Sequence, residues 1–177
     1  VLAEVRAALD KFVRAGVDFM VANSFSKNFS LYGERVGALS VVCANAEEAA
    51  RVLSQLKITV RTNYSNPPTH GAAVVTHILR DPELHAFWEQ ELAGMRQRIR
   101  NMRQKLVDGL AAAGVRQDMR FMLEQLGMFS YSGLSREQMQ KLREDHAVYG
   151  LDSGRLCVAA LNEHNLAHVC RAIAQVL

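Results

Sequence analysis

Asn23-Ser24-Phe25-Ser26-Lys27-Asn28-Phe29-Ser30-Leu31-Tyr32-Gly33-Glu34-Arg35 is a polar stretch between two apolar runs, and its setting decides the fold class. Ahead of it, Val17 to Ala22 reads as a buried strand; after it, Val36 to Cys43 reads as a second, with Gly33 and Gly37 allowing unusual backbone in between. Helices flank the pair. Leu2, Val5, Ala8, Leu9, Phe12 and Val13 recur at helical spacing, and Gly16 suits a C-terminal cap. Asn45 can cap a second helix over about 46–60, with Ala49, Val52, Leu53, Leu56 and Val60 on one face. Helix and strand alternate here, which places the segment in an α/β layer.

Further along, Tyr64 to Pro68 carries Asn, Ser and two prolines and predicts a loop, followed by a helix over about 69–79. Asp81-Pro82 starts another helix, Asp as N-cap and Pro in the first turn. Its apolar positions (Leu84, Phe87, Trp88, Leu92, Met95, Ile99, Met102, Leu106, Leu110) continue towards Gly114, a length that commonly bridges two lobes. From Gly127 the elements shorten: a strand over 128–131, a helix over 136–145, strands near Val148 and Leu156, and a last helix from about Glu163. That order predicts a small α+β lobe. The chain starts at Val1, without Met, inside a helical pattern, as a cut into a longer protein would.

Composition narrows the function classes. The chain has 177 residues, 49% of them hydrophobic and 22% charged, as expected of a globular protein able to bury a core. Its 21 Lys and Arg against 18 Asp and Glu leave a net charge of +3, too weak a balance to imply nucleic acid or an anionic membrane. No run approaches a membrane span, and no signal-peptide pattern opens the chain. Cys43, Cys157 and Cys170 form no metal-type spacing and suit packed thiols in a reducing cytoplasm. No metal site is expected.

Lys27 is the residue with chemical promise. At the end of a buried strand its amine is desolvated, and a neutral amine attacks aldehydes to form a Schiff base. The hydroxyls of Ser24 and Ser26 can donate to an anion, and Arg35 can return a planar guanidinium fork that suits phosphate.

The segment from Ser24 to Gly37 resembles the pyridoxal-phosphate lysine segment of class I (fold type I) aminotransferases, more narrowly the aspartate and aromatic amino acid aminotransferase subgroup. The likeness continues, in order, through Arg61-Thr62-Asn63-Tyr64-Ser65-Asn66-Pro67-Pro68, Gly127-Met128-Phe129-Ser130-Tyr131 and Ser153-Gly154-Arg155-Leu156-Cys157-Val158-Ala159. It implies that Lys27 carries pyridoxal 5'-phosphate and moves a proton between substrate and cofactor. Ser24 and Arg35, with Ser26 close by, would hold the cofactor phosphate. Arg155 would receive the substrate's α-carboxylate. Arg61 would reach the neighbouring subunit's site of a homodimer to meet a side-chain carboxylate, so two arginines at opposite ends suit a dicarboxylate such as 2-oxoglutarate.

By the same resemblance, residues 1–80 are the C-terminal part of the cofactor-binding large domain, 81–113 a connecting helix and 114–177 a small α+β domain. The reaction is amino-group exchange between an amino acid, aromatic or aspartate, and a 2-oxo acid in cytoplasmic amino acid metabolism. The partners of the pyridine nitrogen and ring hydroxyl belong upstream of the lysine in this family, so the 177 residues alone are expected to be inactive. Ser30 and Gly33 resemble the aromatic branch, Asn28 and Thr69-His70-Gly71 the aspartate branch, and Ala160 stands where relatives commonly have Gly. Substrate preference stays open.

Other readings compete. Ser24-Phe25-Ser26-Lys27 satisfies the S-x-x-K pattern of serine acyl hydrolases, though neither S-D-N nor K-T-G follows. Arg96, Arg100 and Arg103 share a helical face, which predicts a solvated surface rather than a nucleic-acid site because no aromatic residue interleaves. His164 and His168 lack a third metal ligand and predict surface residues, whereas Met119, Phe121 and Met122 predict packing. As a non-catalytic interaction fragment, the chain would expose apolar surface on its first lobe.

Overall fold

Lys27 lies on a loop joining two antiparallel strands in a computed structural model that describes residues 2–177. The chain divides into two units, the first ending at Trp88 and the second starting at Glu89. The first contains helix α1 (Leu2–Arg14), strands β1 (Met20–Ser24) and β2 (Gly37–Val41), helices α2 (Ala46–Tyr64) and α3 (His70–Arg80), and the start of α4 (Pro82–Ala112). The chain is α/β, mixing helices with small sheets.

Local chemistry accounts for most boundaries. Gly16, at φ +63°, ends the α1 region as the expected cap, with the Val17 N–H on the Phe12 carbonyl at 3.3 Å. Leu2 and Val5, expected on the apolar face of α1, have side chains outside the described residues. Asn45 accepts from the Glu48 N–H at 2.9 Å, and Glu48 in turn accepts from the Ala44 N–H at 2.7 Å, so the two ends of the first turn satisfy each other. Helix α2 runs a turn beyond the expected end before Ser65, at φ 69°, and the prolines that follow stop it. Asp81 caps α4 by accepting from the N–H groups of Glu83 and Leu84 at 2.9 and 3.0 Å.

The two strands were expected to be buried, and they are not. In β1 only Val21 is even half-buried, and Met20 is 70% exposed. Among the described residues the sheet has just these two strands, running Met20 opposite Val41 to Ser24 opposite Gly37, so each apolar run lacks the covered faces that such runs ordinarily meet. Helix α2 likewise buries no residue. In this unit the buried positions among the described residues are Ser26, Gly71 and Val75. The first lobe therefore leaves apolar side chains such as Met20 and Leu39 exposed.

The second unit holds the core. The rest of α4 packs with α5 (Arg136–His146), α6 (Leu166–Val176), a short sheet of β3 (Phe129–Tyr131) and β4 (Arg155–Cys157), and two single 3-10 turns at Arg120–Glu124 and Val158–Ala160. Leu106, Leu110, Met122, Met139, Leu142, Val158 and Ile173 are wholly enclosed. Met119 is buried too, as expected, while Phe121 is 37% exposed. Ser135 and Gln138 form a capping box at the start of α5. Val148, expected in a strand, instead closes the end of α5, its N–H on the Leu142 carbonyl at 2.9 Å. Helix α6 starts at Leu166 rather than Glu163 because Asn162 accepts from the N–H groups of His164 and Asn165 and holds those residues in a turn.

Arg103 corrects the reading of a solvated arginine face. It is 3% exposed, with Nε donating to Ser130 Oγ at 3.0 Å and Nη2 to the Gly127 carbonyl at 2.7 Å. Burial, then the neighbouring Arg100 charge, pulls its pKa below the ordinary arginine value. The helix thus uses this cation to tie itself to β3. Replacing Arg103 with leucine strands the Gly127 carbonyl, and is expected to lower unfolding stability by about 1–3 kcal/mol, as a shift of the urea midpoint at unchanged slope would show. Cys170, also buried, has its thiol pushed up by desolvation, consistent with a packed side chain.

Candidate active site

Ser24 is the last residue of β1, and just past it the Phe25 N–H binds the Val36 carbonyl at 3.1 Å, closing the loop at its base. Inside, the Phe29 N–H reaches the Phe25 carbonyl at 3.2 Å, so residues 25–29 make one helical turn with Lys27 at its centre. Ser30 at φ 55° and Arg35 at φ 52° are non-glycine residues in left-handed backbone, a strained conformation that clusters at functional sites. At the base of the loop Gly37 is required: a Cβ there would stand 2.5 Å from the Asn23 carbonyl oxygen.

Four of the residues singled out from sequence share this loop. Ser24 Oγ donates to Ser26 Oγ at 3.1 Å and accepts from the Ser26 N–H at 3.3 Å, and Ser26 is buried. Lys27 Nζ lies 4.0 Å from the centroid of the Tyr32 ring, while the Arg35 guanidinium carbon is 5.4 Å from that centroid, and Arg35 Nη1 donates to the Tyr32 carbonyl at 3.0 Å. Tyr32 therefore gathers both cations, a role that its position within a turn did not signal. Among the described residues neither cation forms an ion pair with an acid. Two hydroxyls, an ammonium and a guanidinium on one loop form a donor set whose chemistry fits a phosphate. Lys27 is exposed, not desolvated as the sequence predicted, because the loop carries it beyond the last strand residue.

Arg61 stands on the last turn of α2, exposed, with Nη1 donating to Ser65 Oγ at 3.2 Å. Arg155 belongs to the second unit, where it opens β4 opposite Tyr131 and its guanidinium carbon sits 4.6 Å from the Phe129 ring centroid. The turn before it is held firmly. Asp152 accepts from Arg143 at 2.6 Å, and Gly154, at φ +81°, has its carbonyl bound by both the N–H and the hydroxyl of buried Ser132 at 2.9 and 2.7 Å. Phe129 stood in the sequence within a strand pattern and the Gly127–Tyr131 likeness, with no role of its own. Ala160 closes the 3-10 turn after β4, exposed, its carbonyl accepting from Asn165 Nδ2 at 3.1 Å.

The competing patterns fare less well. Lys27 Nζ rests on Tyr32 rather than on Ser24, whose hydroxyl is engaged with Ser26, so the geometry offers no lysine-activated serine. His168 Nε2 is 2.8 Å from the His146 carbonyl oxygen, and among the described residues no group of His, Cys, Asp and Glu is arranged to hold a metal. Nor is any described helix long and apolar enough to cross a membrane.

Comparison with known proteins gives this loop its context. Residues 4–173 match the family model for aminotransferase class I and II. The chain is 55% identical over 176 residues to an aspartate aminotransferase of Pseudomonas aeruginosa, covering 99% of this chain and 44% of that protein. It is 52% identical over 170 residues to an aromatic-amino-acid aminotransferase of Escherichia coli, covering 96% of this chain and 43% of that one. Its fold superposes with a TM-score of 0.91 on the crystal structure of an aromatic-amino-acid aminotransferase from Burkholderia pseudomallei covalently bound to pyridoxal phosphate, at 57% identity over 97% of this chain and 43% of that chain. The chain belongs to the class I and II aminotransferase family. It spans about 44% of the length of the curated relatives it matches.

Proposed function

We propose that this chain carries the cofactor lysine of a pyridoxal-phosphate-dependent aminotransferase that exchanges an amino group between aspartate or an aromatic amino acid and a 2-oxo acid such as 2-oxoglutarate. The observation that supports the reading is the segment between β1 and β2 in a member of this family, where Ser24 and Ser26 are hydrogen-bonded to each other and Lys27 and Arg35 both meet Tyr32. Lys27 would hold the cofactor by its amine, and Ser24, Ser26 and Arg35 would hold its phosphate. When bound, the cofactor's pyridine ring supplies a sink for the electron pair left on the substrate's α-carbon. The amine of Lys27, when free, would accept the proton from the substrate's α-carbon and return it one carbon away. Arg155 would bind the α-carboxylate through its planar fork, and Arg61 the distal carboxylate of a substrate in the partner's site of a homodimer.

In the same reading residues 1–80 are the C-terminal part of the large domain, 81–113 the connecting helix and 114–177 the small domain, acting in the cytoplasm. The test is borohydride reduction of the full-length protein in the presence of pyridoxal phosphate, followed by peptide mapping. The adduct mass is expected on the peptide containing Lys27; an adduct confined to other lysines, or none, overturns the reading.

A further inference from the structure

Lys27 projects from a turn on a flexible four-carbon stem, so its reach depends on how firmly the turn backbone is set. The feature that sets it lies sixty residues away. Trp88 Nε1 donates to the carbonyl of Asn28, the residue after Lys27, at 2.8 Å. The Trp88 ring also stacks on Phe29, centroids 4.6 Å apart and planes 18° from parallel, and Phe29 meets the edge of Phe25 at 5.5 Å. Phe25 in turn is fixed by its N–H on Val36. An aromatic ladder therefore runs from the base of the loop through the lysine turn to the first turns of α4. Among the described residues the Asn28 carbonyl takes a hydrogen bond from this indole alone.

We infer that Trp88 is a positioning residue for Lys27, holding the backbone on the C-terminal side of the lysine by one hydrogen bond and one stacked ring. The inference rests on the cofactor role proposed for Lys27 and adds a residue that the apolar periodicity of α4 presented only as packing. A plain packing residue would use its ring alone; here the polar end of the indole is aimed at the turn that carries the amine. Small displacements of a proton-transferring group have large kinetic consequences, which makes the anchoring of its backbone functionally important.

The test uses the full-length protein with Trp88→Phe, Trp88→Leu and, as an isosteric check should phenylalanine pack poorly, benzothienylalanine at position 88, which keeps the bicyclic ring and lacks the N–H. Amide hydrogen exchange is followed in the cofactor-free protein. Loss of the donor alone is expected to speed exchange over residues 27–30 about fivefold, the equivalent of one neutral hydrogen bond, with β1, β2 and α3 unchanged. Loss of the ring as well is expected to speed it further. Covalent capture of pyridoxal phosphate, followed by absorbance, should slow in the same order. Unchanged exchange over 27–30, or a uniform rise across the first unit, overturns the inference. Failure of the unsubstituted protein to capture the cofactor overturns the proposed function, and the exchange pattern still decides whether Trp88 places the turn.

Discussion

Replacing Lys27 with alanine in the full-length protein is expected to slow transamination by about 10⁴-fold, the upper range for a positioned acid–base group, and to remove the covalent cofactor adduct. Both effects come from one amine. In the proposed function it would be the attachment point while substrate is absent and the proton carrier once substrate has displaced it. The fold should survive the change: Lys27 is exposed, and its visible contact is with the Tyr32 ring at 4.0 Å, an interaction worth roughly 0.5–1 kcal/mol at an exposed site. Activity and stability therefore separate, and a single-turnover assay beside a denaturation curve reads both. A variant retaining activity within tenfold of the parent would place the proton carrier elsewhere.

Arg155 is expected to carry the next largest effect. In the proposed site, exchange for leucine would remove two parallel charge-assisted hydrogen bonds to the substrate carboxylate, each worth roughly 1.5–3 kcal/mol, and should raise KM for both amino acid and 2-oxo acid about 10²- to 10⁴-fold. Lysine should restore only part of this, because a point charge cannot reproduce a planar fork. The geometry around Arg155 explains why orientation matters. Phe129 lies under the guanidinium at 4.6 Å, and Ser132 grips the carbonyl of the preceding Gly154 with two hydrogen bonds. A Cβ on Gly154 would also stand 2.8 Å from the Leu134 carbonyl oxygen, so the turn that aims Arg155 has little freedom. An unchanged KM for the leucine variant would remove Arg155 from the substrate site.

Some of this protein was legible in its residues because the cause lies within a turn or two of chain. Asn45, Asp81 and the Ser135–Gln138 pair announce helix starts by capping N–H groups only two or three residues away. Gly16 announces a stop through its own backbone angle. The contacts around Lys27 have the same local character: Ser24 at the end of β1 meets Ser26, and Lys27 and Arg35 meet Tyr32, all within the segment from β1 to β2.

Tertiary structure alone decided the rest, because burial and long-range contact depend on which surface another element covers. The apolar residues of β1 and β2 promised buried strands, yet with two strands in the sheet most of them stay exposed. Arg103 shares its spacing with exposed Arg100, and only the arrival of β3 and the Gly127 carbonyl draws it into the core. Trp88 reads as one more apolar position on a long helix until the fold brings Asn28 and Phe29 against it. Periodicity specifies which face of an element is apolar; what meets that face is set by packing between segments far apart in the chain.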